Sequence, residues 1–303
     1  MTRRGLILFA ALGIAWGIPY LFIKVAVGEL EPAMVVLARS ALAALLLMPL
    51  AFFRREVWRV VRRWKPMAAY TLVEIVLPWY FLSSAEQRLP SSTAGLLLAT
   101  VPLAGVAIAF TMGRPERLTR VNWLGIVLGM LGVAALVGLD IAGSDLIAVA
   151  EMGIVVVGYA LGPAILARWM SDLPGVGVVA VSLAATALVY VPFVLLTGAW
   201  PTAMPSPSVI LSIVVLAVIC SALAFLLMVA LIAEIGPVKA TAITYVNPAV
   251  AILAGVLVLG ERITVWTMVG FVLVLCGSYL VTARRRELVA AEGPEEASAE
   301  QRR

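Results

Sequence analysis

The sequence predicts an all-α polytopic membrane protein with ten transmembrane helices, arranged as two inverted five-helix repeats. Three observations lead to this fold class: the composition, ten apolar stretches of membrane-spanning length, and a similarity between the two halves. Of the 303 residues, 63% are hydrophobic and 13% are charged, about half the roughly 25% charged residues of soluble domains. So few charges cannot cover a soluble surface, and the composition also excludes a disordered chain, a collagen-like fibre and a disulfide-stapled domain.

The ten predicted helices are stretches of about 20 apolar residues, the length that crosses the hydrocarbon layer of a bilayer. In chain order they are Gly5–Val27, Pro32–Phe53, Pro66–Ser84, Pro90–Thr111, Val121–Leu139, Leu146–Ala167, Pro174–Thr197, Ser208–Ile232, Gly236–Val258 and Thr264–Ala283. The connections are short, so the chain leaves no room for a soluble domain.

The basic residues predict the orientation in the membrane. If the N-terminus is cytoplasmic, 16 of the 22 lysines and arginines fall on the cytoplasmic side, and three, Lys24, Arg88 and Arg262, fall at outer ends. Such a bias favours a multi-pass protein of the plasma membrane, as in a bacterial inner membrane, with both termini in the cytoplasm. The basic patches are then expected to face anionic lipid headgroups, and we predict no nucleic-acid partner.

An internal repeat links the two halves. The motif Glu116–Thr119 corresponds to Glu261–Thr264 at a spacing of 145 residues, and each motif precedes an apolar stretch. We therefore predict a first repeat over residues 1–139, a second over 146–283 and a disordered cytoplasmic tail over 284–303. Five helices per unit is an odd number, so the second unit must enter the membrane in the opposite sense. Inverted repeats are common in secondary transporters, with the substrate site at the repeat interface, although a duplicated channel, receptor or membrane enzyme remains open.

Three segments carry a family resemblance. The stretch Trp16–Lys24, followed by Arg39 in the next helix, and the loops Arg114–Thr119 and Leu259–Thr264 resemble the EamA-like branch of the drug/metabolite transporter superfamily. The resemblance covers essentially residues 5–283. It implies a ten-helix inverted-repeat fold and transport of small metabolites, often export of amino acids or related compounds.

Charged residues within the helices are the first candidates for a substrate site, because a charge at the membrane centre costs about 2.5–3.5 kcal/mol on insertion scales. They are Arg39 and Glu74, with Lys24 and Glu151 nearer the outer surface. Glu74 has two hypotheses: it couples transport to protons, or it pairs with a cationic group of the substrate. The structural alternatives are snorkelling for Lys24, a partner of Glu74 or of backbone carbonyls for Arg39, and a solvated helix-start charge for Glu151.

Prolines and aromatic residues are the second set of candidates. An intrahelical proline frees the carbonyl four residues earlier, and in lipid such a carbonyl needs protein or a watery cavity around it. The prolines predict kinked helices around a central cavity, and the aromatic and amide side chains near them predict contacts to substrate. The helix-kink residues are Pro19, Pro78, Pro102, Pro163 and Pro248, and the further substrate-binding candidates are Trp16, Trp79, Tyr80, Tyr159, Tyr245 and Asn247.

The chain offers no obvious metal, cofactor or catalytic group. It has no histidine, and its two cysteines lack the spacing of a metal site. We see no Walker-type nucleotide loop, so we predict a secondary transporter without a cofactor rather than an ATP-driven pump. The alternative function is a membrane-embedded enzyme acting on lipid or isoprenoid substrates. The sequence leaves the substrate, the coupling ion, the direction of net flux and the oligomeric state open.

Overall fold

The structure of the protein is a computed structural model, which describes residues 2–111, 119–139, 145–236 and 240–281. The predicted tail over 284–303 lies outside the described residues, as does most of the loop motif that begins at Arg114. The main helices are α1 (Arg3–Ala26), α2 (Pro32–Phe53), α3 (Trp64–Glu86), α4 (Ser91–Ile108), α5 (Arg120–Leu139), α6 (Leu146–Trp169), α7 (Gly175–Thr197), α8 (Pro207–Ile235), α9 (Ala242–Leu259) and α10 (Val265–Val281).

The prediction of an all-α polytopic membrane protein is confirmed. Eight of these helices are long and apolar enough to cross a membrane. The segment Arg120–Leu136 of α5 and the helix α10 are shorter apolar segments in the described part of the chain. The described ranges contain no β-strand. Local signals set several helix ends: Pro32 and Pro207 occupy the first turns of α2 and α8, and Gly198, with φ 71°, ends α7.

Five of the described helices depart from regular α geometry: α1 is broken at Ile18, and α3, α4, α8 and α9 contain turns of another type. A π-helical segment covers Leu72–Val76 in α3, and a second, which starts 146 residues later, covers Val218–Leu223 in α8. A 3-10 turn covers Leu98–Thr100 in α4 and another covers Thr241–Tyr245 at the start of α9. The two halves therefore carry the same irregularity at corresponding positions.

The predicted kink residues lie at these irregular points, with one exception. Pro78 and Pro102 each follow a non-α segment by two residues, and Pro248 follows the 3-10 turn at the start of α9. Pro19 restarts α1 after a break at Ile18. Pro163 is different, because α6 continues as an α-helix through it.

The helices pack in pairs across the two halves. Helix α2 lies against α7, α3 against α6, α1 against α8, and α4 against α9. Helices α5 and α10 meet through small residues, since a side chain at Gly125 would collide with the carbonyl oxygen of Gly277. Each helix of the first half therefore pairs with one helix of the second half. Renumbering α1–α5 as α6–α10, and α6–α10 as α1–α5, gives the same five pairs.

Candidate functional site

The candidate site is a central cavity of about 380 Å³ between the two halves. Its walls come from α1 to α4 of the first half and from α6, α8 and α9 of the second. The lining residues are Trp16, Pro19, Tyr20, Arg39, Glu74, Ile75, Trp79, Leu82, Gly95, Leu98, Val101, Tyr159, Pro163, Cys220, Phe225, Met228, Ile243, Thr244, Asn247 and Pro248. Arg39 and Glu74 are the charged members of this lining.

Arg39 is held from one side and open on the other. Its residue is only 7% exposed, its Nε donates to Ser221 Oγ at 3.0 Å, and its guanidinium lies 3.7 Å from the centre of the Trp79 ring. The Ser221 hydroxyl in turn donates to the Leu216 carbonyl, which fixes its orientation. Within the described ranges, no hydrogen bond engages the two terminal guanidinium nitrogens.

Glu74 brings a carboxylate to the cavity from the π segment of α3. Its Oε2 is shielded from solvent and has no hydrogen-bond partner among the described residues. The facing position on α6 is Gly162, where a Cβ atom would overlap Oε2. The missing side chain at Gly162 therefore gives the carboxylate its place in the wall.

Arg39 and Glu74 do not pair with each other. The ion pairs of the described residues do not join them, so the structural alternative in which Arg39 is a partner of Glu74 is wrong. The physical reason is that the Ser221 hydroxyl and the Trp79 ring already hold the guanidinium of Arg39. Both charged groups are left available to a third molecule.

Most of the other cavity candidates are apolar or aromatic. Trp16 packs edge-on against Phe225, with 5.8 Å between ring centres. Tyr159 adds a hydroxyl from α6. Asn247, on α9, presents an Oδ1 that has no hydrogen-bond partner in the described part of the chain.

Four predicted site residues lie outside the cavity and have other contacts. Lys24 Nζ donates to the Glu86 and Leu89 carbonyls, at 2.6 Å and 2.9 Å. The corrected interpretation of Lys24 is a cation that satisfies carbonyl groups at and beyond the end of α3, rather than a cavity residue or a side chain that snorkels to headgroups.

Glu151 forms an ion pair with Arg88 and accepts a hydrogen bond from Ser84 at 2.9 Å. It therefore joins α6 to the end of α3 and does not face the cavity. The sequence gives the position of Glu151 along α6 but cannot show which way its side chain points.

The remaining two, Tyr80 and Tyr245, also have partners away from the cavity. Tyr80 stacks on Tyr190 with ring centres 6.4 Å apart. The Tyr245 hydroxyl donates to the Ser278 carbonyl at 3.1 Å. Of the five kink residues, Pro19, Pro163 and Pro248 line the cavity, whereas Pro78 and Pro102 do not.

A contact between the two halves lies at the start of α4, and sequence reasoning missed its function. The Glu261 carboxylate, in the α9–α10 loop, accepts hydrogen bonds from the backbone amides of Ser91 and Ser92 at 2.7 Å and 3.0 Å. Burial by itself raises the pKa of Glu261, but these hydrogen bonds outweigh it and hold the pKa below its ordinary value of 4.5. The sequence signal was the Glu-Arg-x-Thr motif, which indicated the repeat and the family resemblance but not the contact with α4.

The sequence comparisons agree with this architecture. The model of the EamA-like transporter family matches the chain twice, over residues 3–138 and 147–283. A protein of Escherichia coli (strain K12), named an uncharacterized inner membrane transporter, YedA, is 30% identical over 284 residues, which are 90% of this chain and 91% of that protein. An uncharacterized transporter of Bacillus subtilis (strain 168), YvbV, is 24% identical over 96% of this chain and 95% of its own length.

A solved crystal structure shares the fold. It superimposes with a TM-score of 0.66 over 95% of this chain and 99% of that chain, at 20% sequence identity. The family match covers both halves of the chain, so it includes the helices that line the cavity as well as the loops. The chain belongs to the EamA-like transporter family, and it is a membrane transporter of small molecules.

Proposed function

We propose that the protein is a secondary exporter of amino acids or closely related compounds, working by alternating access around the central cavity. The observation that carries the proposal is the pair of unpaired, opposite charges, Arg39 and Glu74, in one apolar cavity. A volume of about 380 Å³ lies within the range of roughly 300–1,000 Å³ that small-molecule sites occupy.

Arg39 is suited to a carboxylate. Its Nε and its aromatic face are already engaged by Ser221 and Trp79, which hold the planar group in one orientation. The two terminal nitrogens then offer parallel N–H donors, the geometry that matches the two oxygens of a carboxylate. The cost of ordering the guanidinium is met before the substrate arrives, so little of the binding energy is lost to it.

Glu74 is suited to an ammonium group. A buried carboxylate without a partner is costly, and a substrate cation would remove that cost. Asn247 offers a further acceptor, since its Oδ1 also lacks a partner in the described residues. The walls near Trp16 and Phe225 then fit an apolar or aromatic side chain.

Alternating access is supported by the pairing of helices across the halves and by the two successive family matches. We propose that residues 1–139 and 146–283 are inverted repeats that rock against each other around the cavity, as in other repeat-built transporters. The distribution of basic residues supports a bacterial inner membrane as the location, with both termini in the cytoplasm.

The substrate class is tested by counterflow in proteoliposomes with a panel of labelled amino acids. Each amino acid that exchanges is then compared in three forms. These are the free amino acid, its N-acetyl derivative, which lacks the ammonium group, and its decarboxylated amine. We expect saturable exchange of the free amino acid and much weaker exchange of the other two. If no amino acid in the panel saturates, the substrate assignment is wrong.

The residue roles are tested with matched variants. Arg39→Gln is expected to lower affinity for the free amino acid by roughly 10- to 100-fold, since a hydrogen bond to a charged group contributes about 1.5–3 kcal/mol. Glu74→Gln is expected to weaken binding of the free amino acid while leaving the N-acetyl derivative unchanged. The control is Arg88→Gln, which removes an arginine that pairs with Glu151 outside the cavity. An unchanged uptake rate and pH dependence in Glu74→Gln would contradict both hypotheses for Glu74.

A further inference from the structure

Glu86, the last residue of α3, is a second buried carboxylate that the proposed substrate site does not use. The residue is 0% exposed, and both carboxylate oxygens lack a hydrogen-bond partner among the described residues. The next two residues, Gln87 and Arg88, are exposed, so the Glu86 side chain is buried although it lies beside an exposed turn. Its backbone carbonyl is engaged by Lys24, while its side chain is not.

The nearby cation does not neutralise Glu86. Lys24 Nζ lies 2.6 Å from the Glu86 carbonyl oxygen and 2.9 Å from the Leu89 carbonyl oxygen. The ion pairs of the described residues do not include one between Lys24 and the Glu86 carboxylate. The ammonium group is therefore directed to backbone oxygens, and the carboxylate stays without a counter-ion in contact.

A neighbouring carboxylate makes a negative charge on Glu86 still less favourable. Glu261 is close enough to act on Glu86 electrostatically, and it is the better place for the charge because the Ser91 and Ser92 amides donate to it. When two carboxylates share a site and one has all the donors, the proton resides on the other. The titratable and charged groups that act on Glu86 from the elements around it are Lys24 and Tyr20 of α1, Arg39 of α2, Tyr159 of α6 and Glu261 of the α9–α10 loop.

We propose that Glu86 is a proton-binding site: its side chain holds a proton, as a neutral carboxylic acid, while the α9–α10 loop is docked on α4. Protonation adds one hydrogen ion to the carboxylate and needs no other reactant. Undocking the loop would remove the amide donors of Glu261, and the preference of the negative charge for Glu261 over Glu86 would be lost. The site is separate from the charged pair in the cavity, and only the use of its proton in transport rests on the proposed function.

The test is infrared spectroscopy of the full-length protein in lipid nanodiscs at pH 7, where a protonated carboxyl group gives a carbonyl-stretch band distinct from that of a carboxylate. We expect wild type to show this band and Glu86→Gln to lose a component of it. The control is Glu151→Gln, which removes a carboxylate that is paired with Arg88 at the same end of the molecule and should leave the band unchanged. An identical band in wild type and Glu86→Gln overturns the proposal.

The stability of the Glu86 variants shows whether the site requires a neutral or a charged side chain. Glutamine has nearly the shape of a protonated glutamate and carries no charge, so Glu86→Gln is expected to fold at pH 7 with an unfolding midpoint close to wild type. If Glu86→Gln does not fold whereas Glu86→Asp does, the site requires a charge and the proposal is wrong. Neither the infrared band nor the stability of the variants depends on transport, so a failure of the proposal for Glu86 is distinguishable from a failure of the substrate assignment.

Discussion

A glycine on α6 gives the sharpest test of how the two halves fit together. At Gly158, a Cβ atom would lie 2.5 Å from the carbonyl oxygen of Val73 and 2.7 Å from Cγ of Pro78. Both are parts of α3 that cannot rotate away, since one is backbone and the other is a proline ring. We therefore predict that Gly158→Ala forces α6 and α3 apart, at a cost in packing that opposes any gain in helix propensity.

The same helix contains the matched control. At Gly153, a Cβ atom would meet nothing within 4 Å, so Gly153→Ala adds only helix propensity, a gain of about 1 kcal/mol. Gly158→Ala has the same gain, and in addition the cost of overpacking, which is about 1–3 kcal/mol. The propensity gain cancels in the comparison, so Gly158→Ala is expected to be less stable than Gly153→Ala by about 1–3 kcal/mol.

The assay is equilibrium unfolding in dodecylmaltoside micelles with increasing sodium dodecyl sulfate, followed by circular dichroism. The expected order of unfolding free energy is Gly153→Ala first, then wild type, with Gly158→Ala equal to or below wild type. Equal stabilisation by the two substitutions would show that the contact between α6 and the π segment of α3 is not close, and would refute the reasoning.

Three further predictions rest on single contacts. In Gly162→Ala, the new methyl group is expected to displace the flexible Glu74 carboxylate rather than backbone atoms. Binding of a free amino acid should therefore weaken, with little change in the free energy of unfolding. A large loss of stability with unchanged binding would contradict this. The folded protein holds the pKa of Glu261 below 4.5, so the ionised carboxylate stabilises the fold above about that pH, and this stabilisation is lost as the pH falls further. Glu261→Gln should therefore be less stable than wild type at pH 7. The difference in stability should shrink when unfolding curves are measured in acid. Tyr190→Phe removes the hydroxyl that donates to the Val76 carbonyl at 2.8 Å and should cost about 0.5–1.5 kcal/mol, the net contribution of a typical hydrogen bond. An unchanged chemical-unfolding curve would contradict this.

The helices could be predicted from sequence because hydrophobic length is a local property. The predicted bounds Pro32–Phe53 are those of α2, and α7 begins one residue after the predicted Pro174. The π segments could not be predicted in the same way, since their residues are as apolar as their neighbours and their geometry depends on the facing helix. The prolines gave a partial signal, because Pro78 and Pro102 each follow an irregular segment by two residues.

The candidate site could be predicted only to the level of depth in the membrane. Arg39 and Glu74 were chosen because a charge within an apolar helix is costly, and both line the cavity. Lys24 and Glu151 satisfy the same criterion, yet one binds carbonyl groups and the other an arginine. Depth along one helix does not give the direction of a side chain around it. Glu86 was not among the candidates, since it lies two residues beyond the predicted helix Pro66–Ser84.

The equivalent π segments explain how a repeated architecture can hold an asymmetric site. A π segment displaces the residues that follow it around the helix, so side chains meet the facing helix in a new register. In α3 this segment presents Glu74, and 146 residues later the one in α8 presents Cys220, followed by Ser221. The first half thus supplies a carboxylate without a partner, while the second supplies the hydroxyl that orients Arg39. Residues of both segments line one cavity, and the difference between their side chains gives that cavity a carboxylate from the first half and, from the second, a hydroxyl that orients Arg39.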